Sequence, residues 1–170
     1  VALALGLATA LFGVVFAVST SDRGRTDFGR LVRAVPRETV VTRCEDDVVR
    51  EIACARSLGI PLTVQGAGHS INGQSLGGDG ILLVNRGASA APCIGDGVVE
   101  VEGRARLGEV EQPLNRAGLT LPVLPDFLDL TIGGTLSVGG YGVESVRRGA
   151  LVDHVERVDA DALGLGELAA

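Results

Sequence analysis

Two glycine-dense stretches carry the residues whose types and spacing suit ligand chemistry in this 170-residue chain. The first reads Gln65-Gly66-Ala67-Gly68-His69-Ser70-Ile71-Asn72-Gly73-Gln74-Ser75. Glycine lets the backbone turn several N–H groups toward one point, a nest that binds phosphate without Lys or Arg. It also lets a ligand approach the main chain closely. A nicotinamide-dinucleotide turn would need G-x-G-x-x-G opening a helix. Ile71 stands where the third glycine belongs, and the chain after Ser70 lacks helical periodicity, so that reading is rejected. Taken alone, the loop reads equally as a phosphate cradle or as a glycine-rich turn. The second stretch contains Pro125-Asp126-Phe127-Leu128-Asp129-Leu130-Thr131-Ile132-Gly133-Gly134-Thr135-Leu136-Ser137. Thr131 and Ser137 are hydrogen-bond donors beside backbone that a ligand can approach. Asp126 is a candidate base, although an isolated Asp after Pro reads more readily as a turn residue. His69 and His154 are the only histidines, and no carboxylate pattern joins them, so no metal site is expected.

These residues need elements to position them. Thr39 to Thr42 is β-branched and reads as a strand. Glu45, Asp46 and Asp47 suit the positive end of a helix, Val48, Ile52 and Ala55 recur at helical spacing, and Gly59 is a stop. Pro61 to Gln65 is a second strand, which makes a βαβ unit with parallel strands and a right-handed crossover. The first glycine-rich stretch therefore leaves a strand end directly. A strand follows at Ile81 to Val84, then a turn at Gly95-Asp96-Gly97 and an alternating strand from Val98 to Glu102. Leu107, Val110, Leu114 and Ala117 predict a second helix ending at Gly118, with a kink at Pro113. Leu119 to Pro125 is extended, and a last short strand is expected within Leu151 to Val158. The fold class is α+β (α/β).

Composition narrows the partners. The net charge is −6 and Lys and Arg are dispersed, which argues against nucleic acid. Cys44, Cys54 and Cys93 make an odd count without CxxC, so neither a complete disulfide framework nor a zinc pattern is present. Cys54 falls in an apolar helical pattern and is expected in the core. Residues 1–18 carry no charge, and at about 1.5 Å per residue they would span about 27 Å, close to a bilayer core. They are read as an export or anchor segment, without the basic start that a signal peptide has. On that reading the protein is exported or membrane-associated, with membrane contact only through 1–18; otherwise it is cytoplasmic. The expected organisation is an apolar segment at 1–20, a linker at 21–35, a cofactor domain at 36–158 and an atypical tail at 159–170.

The two long motifs, in this order and about fifty residues apart, resemble the FAD-binding domain of the vanillyl-alcohol oxidase and p-cresol methylhydroxylase (PCMH-type) family, in particular cytokinin-dehydrogenase-like bacterial FAD-linked oxidases. The resemblance covers roughly Asp27 to Val158. It implies a PCMH-type fold with a βαβ N-terminal subdomain and a second, mixed strand–helix subdomain. It implies FAD as cofactor and hydride transfer from a small organic substrate to the flavin. Gly66, Ala67, Gly68 and Ser70 match positions that wrap the pyrophosphate. His69 matches the position that many members link covalently to the flavin, and Gln74 a further flavin contact. Asp126, Thr131 and Ser137 match cofactor-contacting or active-site positions, with Asp126 the counterpart of a residue that helps remove a proton from an amine substrate. A non-catalytic flavin-binding fragment and a sugar-lactone or alcohol oxidase are the rival readings. The family's proteins are much longer, so the domain is expected to be incomplete at its C-terminal end.

Overall fold

A computed structural model describes residues 25–85 and 88–159. The apolar run 1–18, the start of the expected linker and the tail beyond Asp159 lie outside the described residues. Among the described residues, no helix is long and apolar enough to cross a membrane.

The first lobe is built on Ile81-Leu82-Leu83-Val84. Four apolar residues in a row have no polar face to offer water, so the strand must be covered on both sides. It is the central strand, β3 (Ile81–Val84), and its four side chains are between 0% and 3% exposed. The outer strands are β1 (Glu38–Val41) and β2 (Leu62–Gln65), both parallel to β3, giving the order β1-β3-β2. The βαβ expectation is therefore correct in its parallel direction, but the two strands are not neighbours. β3 arrives later in the chain and separates them, because its continuous apolar run requires the buried position.

Helix α1 (Glu45–Leu58) packs on β3. Its first turn is acidic, and Asp47 accepts the Arg43 N–H at 2.9 Å. That bond, together with the Arg50 guanidinium at 2.9 Å, holds the half-buried Asp47 carboxyl below its ordinary range. The helix stops at Gly59, whose φ of 62° is left-handed. Cys54 is half-buried rather than a core residue, and all three cysteines are free thiols.

The second lobe begins with a small antiparallel pair, β4 (Cys93–Ile94) with β5 (Val99–Glu100), around the expected turn at Gly95 and Gly97. The strand expected over Val98–Glu102 is shorter than its alternation suggested. Helix α2 (Leu107–Arg116) follows. Glu109 accepts the Arg106 N–H at 3.0 Å and so closes its first turn. Pro113 sits inside the helix, which continues for three further residues. Leu107, Val110 and Leu114 form one buried stripe against Ala105, Val123, Ile132 and Leu151. Glu111 is 4% exposed, and its carboxylate accepts the Leu121 N–H at 2.7 Å and the Thr120 hydroxyl at 3.0 Å. It thereby ties the helix to the extended segment that leads to the second motif.

Two short helices follow: α3 (Ile132–Leu136), within the stretch read only as glycine-rich, and α4 (Ser145–Arg148), where the sequence reading assigned no element. The strand expected within Leu151 to Val158 is absent. Leu151–His154 is a 3₁₀ turn instead, closed by Asp153 accepting the Ala150 N–H at 2.7 Å. Leu151 is apolar but points into the α2 core, and one apolar anchor suffices for a single turn.

Leu83→Ala should lower stability by about 3 kcal/mol, since the site is fully buried in a central strand. Glu111→Ala should cost about 2 kcal/mol, because it leaves the Leu121 N–H without its buried acceptor. Urea unfolding followed by far-ultraviolet circular dichroism measures both in this Trp-free chain.

Candidate functional site

All three parallel strands end at the same edge of the sheet. In such sheets ligands bind in the crevice outside the carboxyl ends of the strands. At that edge Thr42 is fully buried after β1, and its hydroxyl lies 3.1 Å from Asn85 Oδ1 and 3.4 Å from the Val84 carbonyl after β3. The last residue of β2 is Gln65, which is buried. Its Nε2 donates to the Ser75 carbonyl at 3.0 Å and draws the far end of the glycine-rich loop back to the strand.

The second motif reaches this edge through backbone pairing with the lead-in to α2. Leu107 N donates to Leu130 O at 2.9 Å, Ile132 N to Ala105 O at 2.8 Å and Gly133 N to Gly103 O at 2.7 Å. Arg106 and Thr131 form an isolated antiparallel bridge within the same run. Thr131 is buried and caps α3, its Oγ1 accepting the Gly134 N–H at 3.4 Å. The Thr131 side chain presses on Gly66 so closely that a Cβ there would overlap Thr131 Oγ1. The two motifs therefore meet at one backbone position that only glycine can occupy without displacement.

From Gly66 to Ser70 the main chain makes no inward use of its donors. Among the described residues, none of the amides of Gly66, Ala67, Gly68, His69 and Ser70 donates a hydrogen bond. All five residues are partly buried, and Gly68 has a φ of 77°, the left-handed region that reverses the direction of successive amides. Unused amides at the carboxyl end of a parallel sheet suit a phosphate oxyanion. Buried side-chain atoms add to the unmet demand: His69 Nδ1, Ser75 Oγ and Thr135 Oγ1 have no partner. A dinucleotide with several acceptor oxygens fits this donor set.

His69 lies in a cluster of rings. Its centroid is 4.7 Å from that of Phe28 and 4.7 Å from that of Phe127. Phe127 directly follows Asp126, so the second motif brings its carboxylate-bearing turn beside the first loop. Asp126 is exposed. Ser137 is also exposed, and its hydroxyl donates to the Gly133 carbonyl at 2.7 Å within its own helix. The Gln74 carboxamide oxygen accepts the Asn72 N–H at 3.2 Å and so supports its own loop. Gly66 and Thr131 thus meet directly, and His69 meets Phe127, the residue after Asp126, whereas Ser137 and Gln74 are engaged locally.

Sequence reasoning placed Gln65, Ser75 and Thr135 within the two motifs without giving them a role, and it missed Phe28. A polar residue closing an apolar strand was a usable signal for Gln65. Phe28 lies in the stretch read as linker. That stretch is built into the fold: Asp27 is buried, its Oδ1 accepts the Leu31 N–H at 2.7 Å and the Val32 N–H at 3.2 Å, and Phe28 N donates to Ser70 O at 2.9 Å. With four Phe and one Tyr in the chain, the position of each aromatic carried more information than the composition suggested. Among the described residues, no cluster of three or more His, Cys, Asp or Glu could hold a metal ion.

Comparison with known proteins agrees with this geometry. The chain is 33% identical over 130 residues to an uncharacterized oxidoreductase of the fasciation locus of Rhodococcoides fascians, covering 76% of this chain and 30% of that protein. It is 30% identical over 161 residues to cytokinin dehydrogenase 3 of Arabidopsis thaliana, covering 89% of this chain and 30% of the relative. The chain thus spans about a third or less of the length of the relatives it matches. Among solved structures, chitooligosaccharide oxidase superposes with a TM-score of 0.68 at 20% identity, over 78% of this chain and 29% of that one. Cholesterol oxidase from Brevibacterium sterolicum gives 0.59 at 18%, over 69% and 24%. These two establish the fold as the PCMH-type α+β arrangement. The family description "FAD binding domain" matches residues 36–168, and the chain belongs to that family, whose cofactor is FAD.

Proposed function

We propose that this chain supplies the cofactor-holding part of an FAD-linked oxidoreductase that passes a hydride from a small organic substrate to the flavin. The observation that carries the proposal is the run of five unpartnered amides, Gly66 to Ser70, at the carboxyl end of the parallel sheet. In this reading Gly66, Ala67, Gly68 and Ser70 hold the pyrophosphate. FAD supplies the hydride-accepting ring, while the protein supplies position and electrostatics.

His69 lies within the cradle, between Gly68 and Ser70, and its place beside Phe127 sets it toward the second motif. We assign it to the flavin ring, as the residue that bonds covalently to it. Thr131 holds the backbone of Gly66 in place, and Ser137 and Gln74 support the segments that line the cofactor. Asp126 is an exposed carboxylate next to the ring cluster, free to accept a proton from a substrate arriving over the flavin. Similarity to cytokinin dehydrogenases favours an amine of the cytokinin kind over a sugar or an alcohol as the substrate. The domain is read as 36–158, with Asp27 to Arg33 as an arm that belongs to it.

Titration with FAD tests the core of the reading. The folded chain should bind one FAD and perturb its visible spectrum, and NAD should not compete. A folded chain that leaves the FAD spectrum unchanged at high concentration would overturn the assignment. Gly66→Ala should weaken FAD binding by tenfold or more, about 1.4 kcal/mol, because Thr131 must move before the loop can close. His69→Ala should still bind FAD but lose flavin from the acid-precipitated pellet, where the wild-type pellet stays yellow. Anaerobic mixing of the loaded protein, within its full gene product, with an amine, alcohol and lactone panel should bleach the flavin with the amine. Asp126→Asn should slow that bleaching by about a hundredfold, the scale of a lost general base.

A further inference from the structure

The three rings of Phe28, His69 and Phe127 form a triangle with centroid separations of 4.7, 4.7 and 6.3 Å. Phenyl rings on opposite faces of the imidazole would have centroids almost twice 4.7 Å apart. The two phenyls instead meet around one corner of His69, at interplanar angles of 31° and 48°, and leave its remaining flank open. Among the described residues the buried His69 Nδ1 finds no hydrogen-bond partner, so none of them fixes the imidazole orientation from that side by a hydrogen bond. Ring contact must do so. Aromatic pairs at such separations are worth about 0.5–1.5 kcal/mol each beyond their area, enough to favour one rotamer about threefold to tenfold.

The two phenyls reach His69 from distant parts of the chain. Phe127 arrives on the second motif. Phe28 arrives on an arm whose turn is tied by Asp27, and whose main chain is bonded to Ser70, the residue after His69. Val32 of the same arm lies against Gly73, where a Cβ would stand 2.7 Å from Val32 Cγ1. Yet Phe28 remains 57% exposed and Phe127 49% exposed, far more than a ring kept only for core packing.

We propose that Phe28, together with Phe127, is a positioning residue that holds the His69 imidazole in the orientation from which it meets the flavin. The inference rests on the reading that His69 faces FAD, and it deepens that reading by naming what aims the ring. Asp27 acts one step further back, by shaping the turn that delivers Phe28.

The test has one readout without cofactor and one with it. In the cofactor-free whole chain, the His69 ring protons should be displaced by the neighbouring phenyl ring currents, with His154→Gln identifying the other histidine signal. In Phe28→Leu the displacement should largely disappear, and in Phe28→Tyr it should persist. With FAD added, Phe28→Leu should bind the cofactor within about threefold of wild type, less than 1 kcal/mol. Acid-stable flavin should form about tenfold to a hundredfold more slowly, the scale on which a misplacement of about 1 Å acts. Phe28→Tyr should restore the rate. Should Phe28→Leu fail to fold, Phe127→Leu carries the same two measurements. Unchanged His69 ring shifts in the leucine variant would overturn the positioning role. Wild-type protein that binds FAD without ever holding it through acid would defeat the covalent reading of His69 instead, and the ring shifts would still decide the clamp.

Discussion

Gly66 lacks the Cβ that would strike Thr131, and this lets the two halves of the molecule share one backbone contact. Thr131 cannot retreat from that contact. It is buried, caps α3, and sits in a stretch paired through the main chain with the residues leading into α2. Gly66 cannot retreat either, since it follows directly on a strand locked against β3. The crevice is therefore defined by two rigid supports meeting at an atom's width. Its geometry depends on packing in both lobes, including residues far from any ligand.

The same constraint explains why the loop's donors are left over. A loop of this length ordinarily turns its amides onto its own carbonyls or side chains. Here Gln65 reaches across to the Ser75 carbonyl and Gln74 accepts the Asn72 N–H, so the loop is braced without the amides of Gly66 to Ser70. That division leaves the main chain from Gly66 to Ser70 free for a ligand rich in acceptors. It also gives the polar residues around the loop a supporting role distinct from that of the backbone they support.

Burial orders the sheet in the same way. β1 and β2 are separated by one helix in sequence, and the βαβ pattern was legible from its β-branched strand, acidic helix start and glycine stop. That β3 lies between them follows from its unbroken apolar run, a pattern that periodicity alone leaves ambiguous between a buried strand and a piece of buried helix. The 3₁₀ turn at Leu151–His154 shows the opposite error, where a turn held by one apolar anchor was read as a short strand. Glycine-rich Ile132–Leu136 becomes helical because Thr131 caps it, Ile132 joins the α2 core and Thr135 is buried, tertiary support that outweighs glycine's poor helix propensity.

The sequence by itself determined the family resemblance, the βαβ start and the glycine-dense loop that leaves a strand end at Gly66 to Ser70 and carries His69, because glycine spacing and strand-end placement are local properties. Only the tertiary structure decided how those parts face one another. That Thr131 seats on Gly66, that Asp27 bends an apparent linker into an arm, and that Phe28 and Phe127 converge on His69 are contacts between residues up to about a hundred positions apart. No local periodicity encodes such contacts, since they arise only when two separately packed lobes bury their apolar faces and bring the intervening loops together.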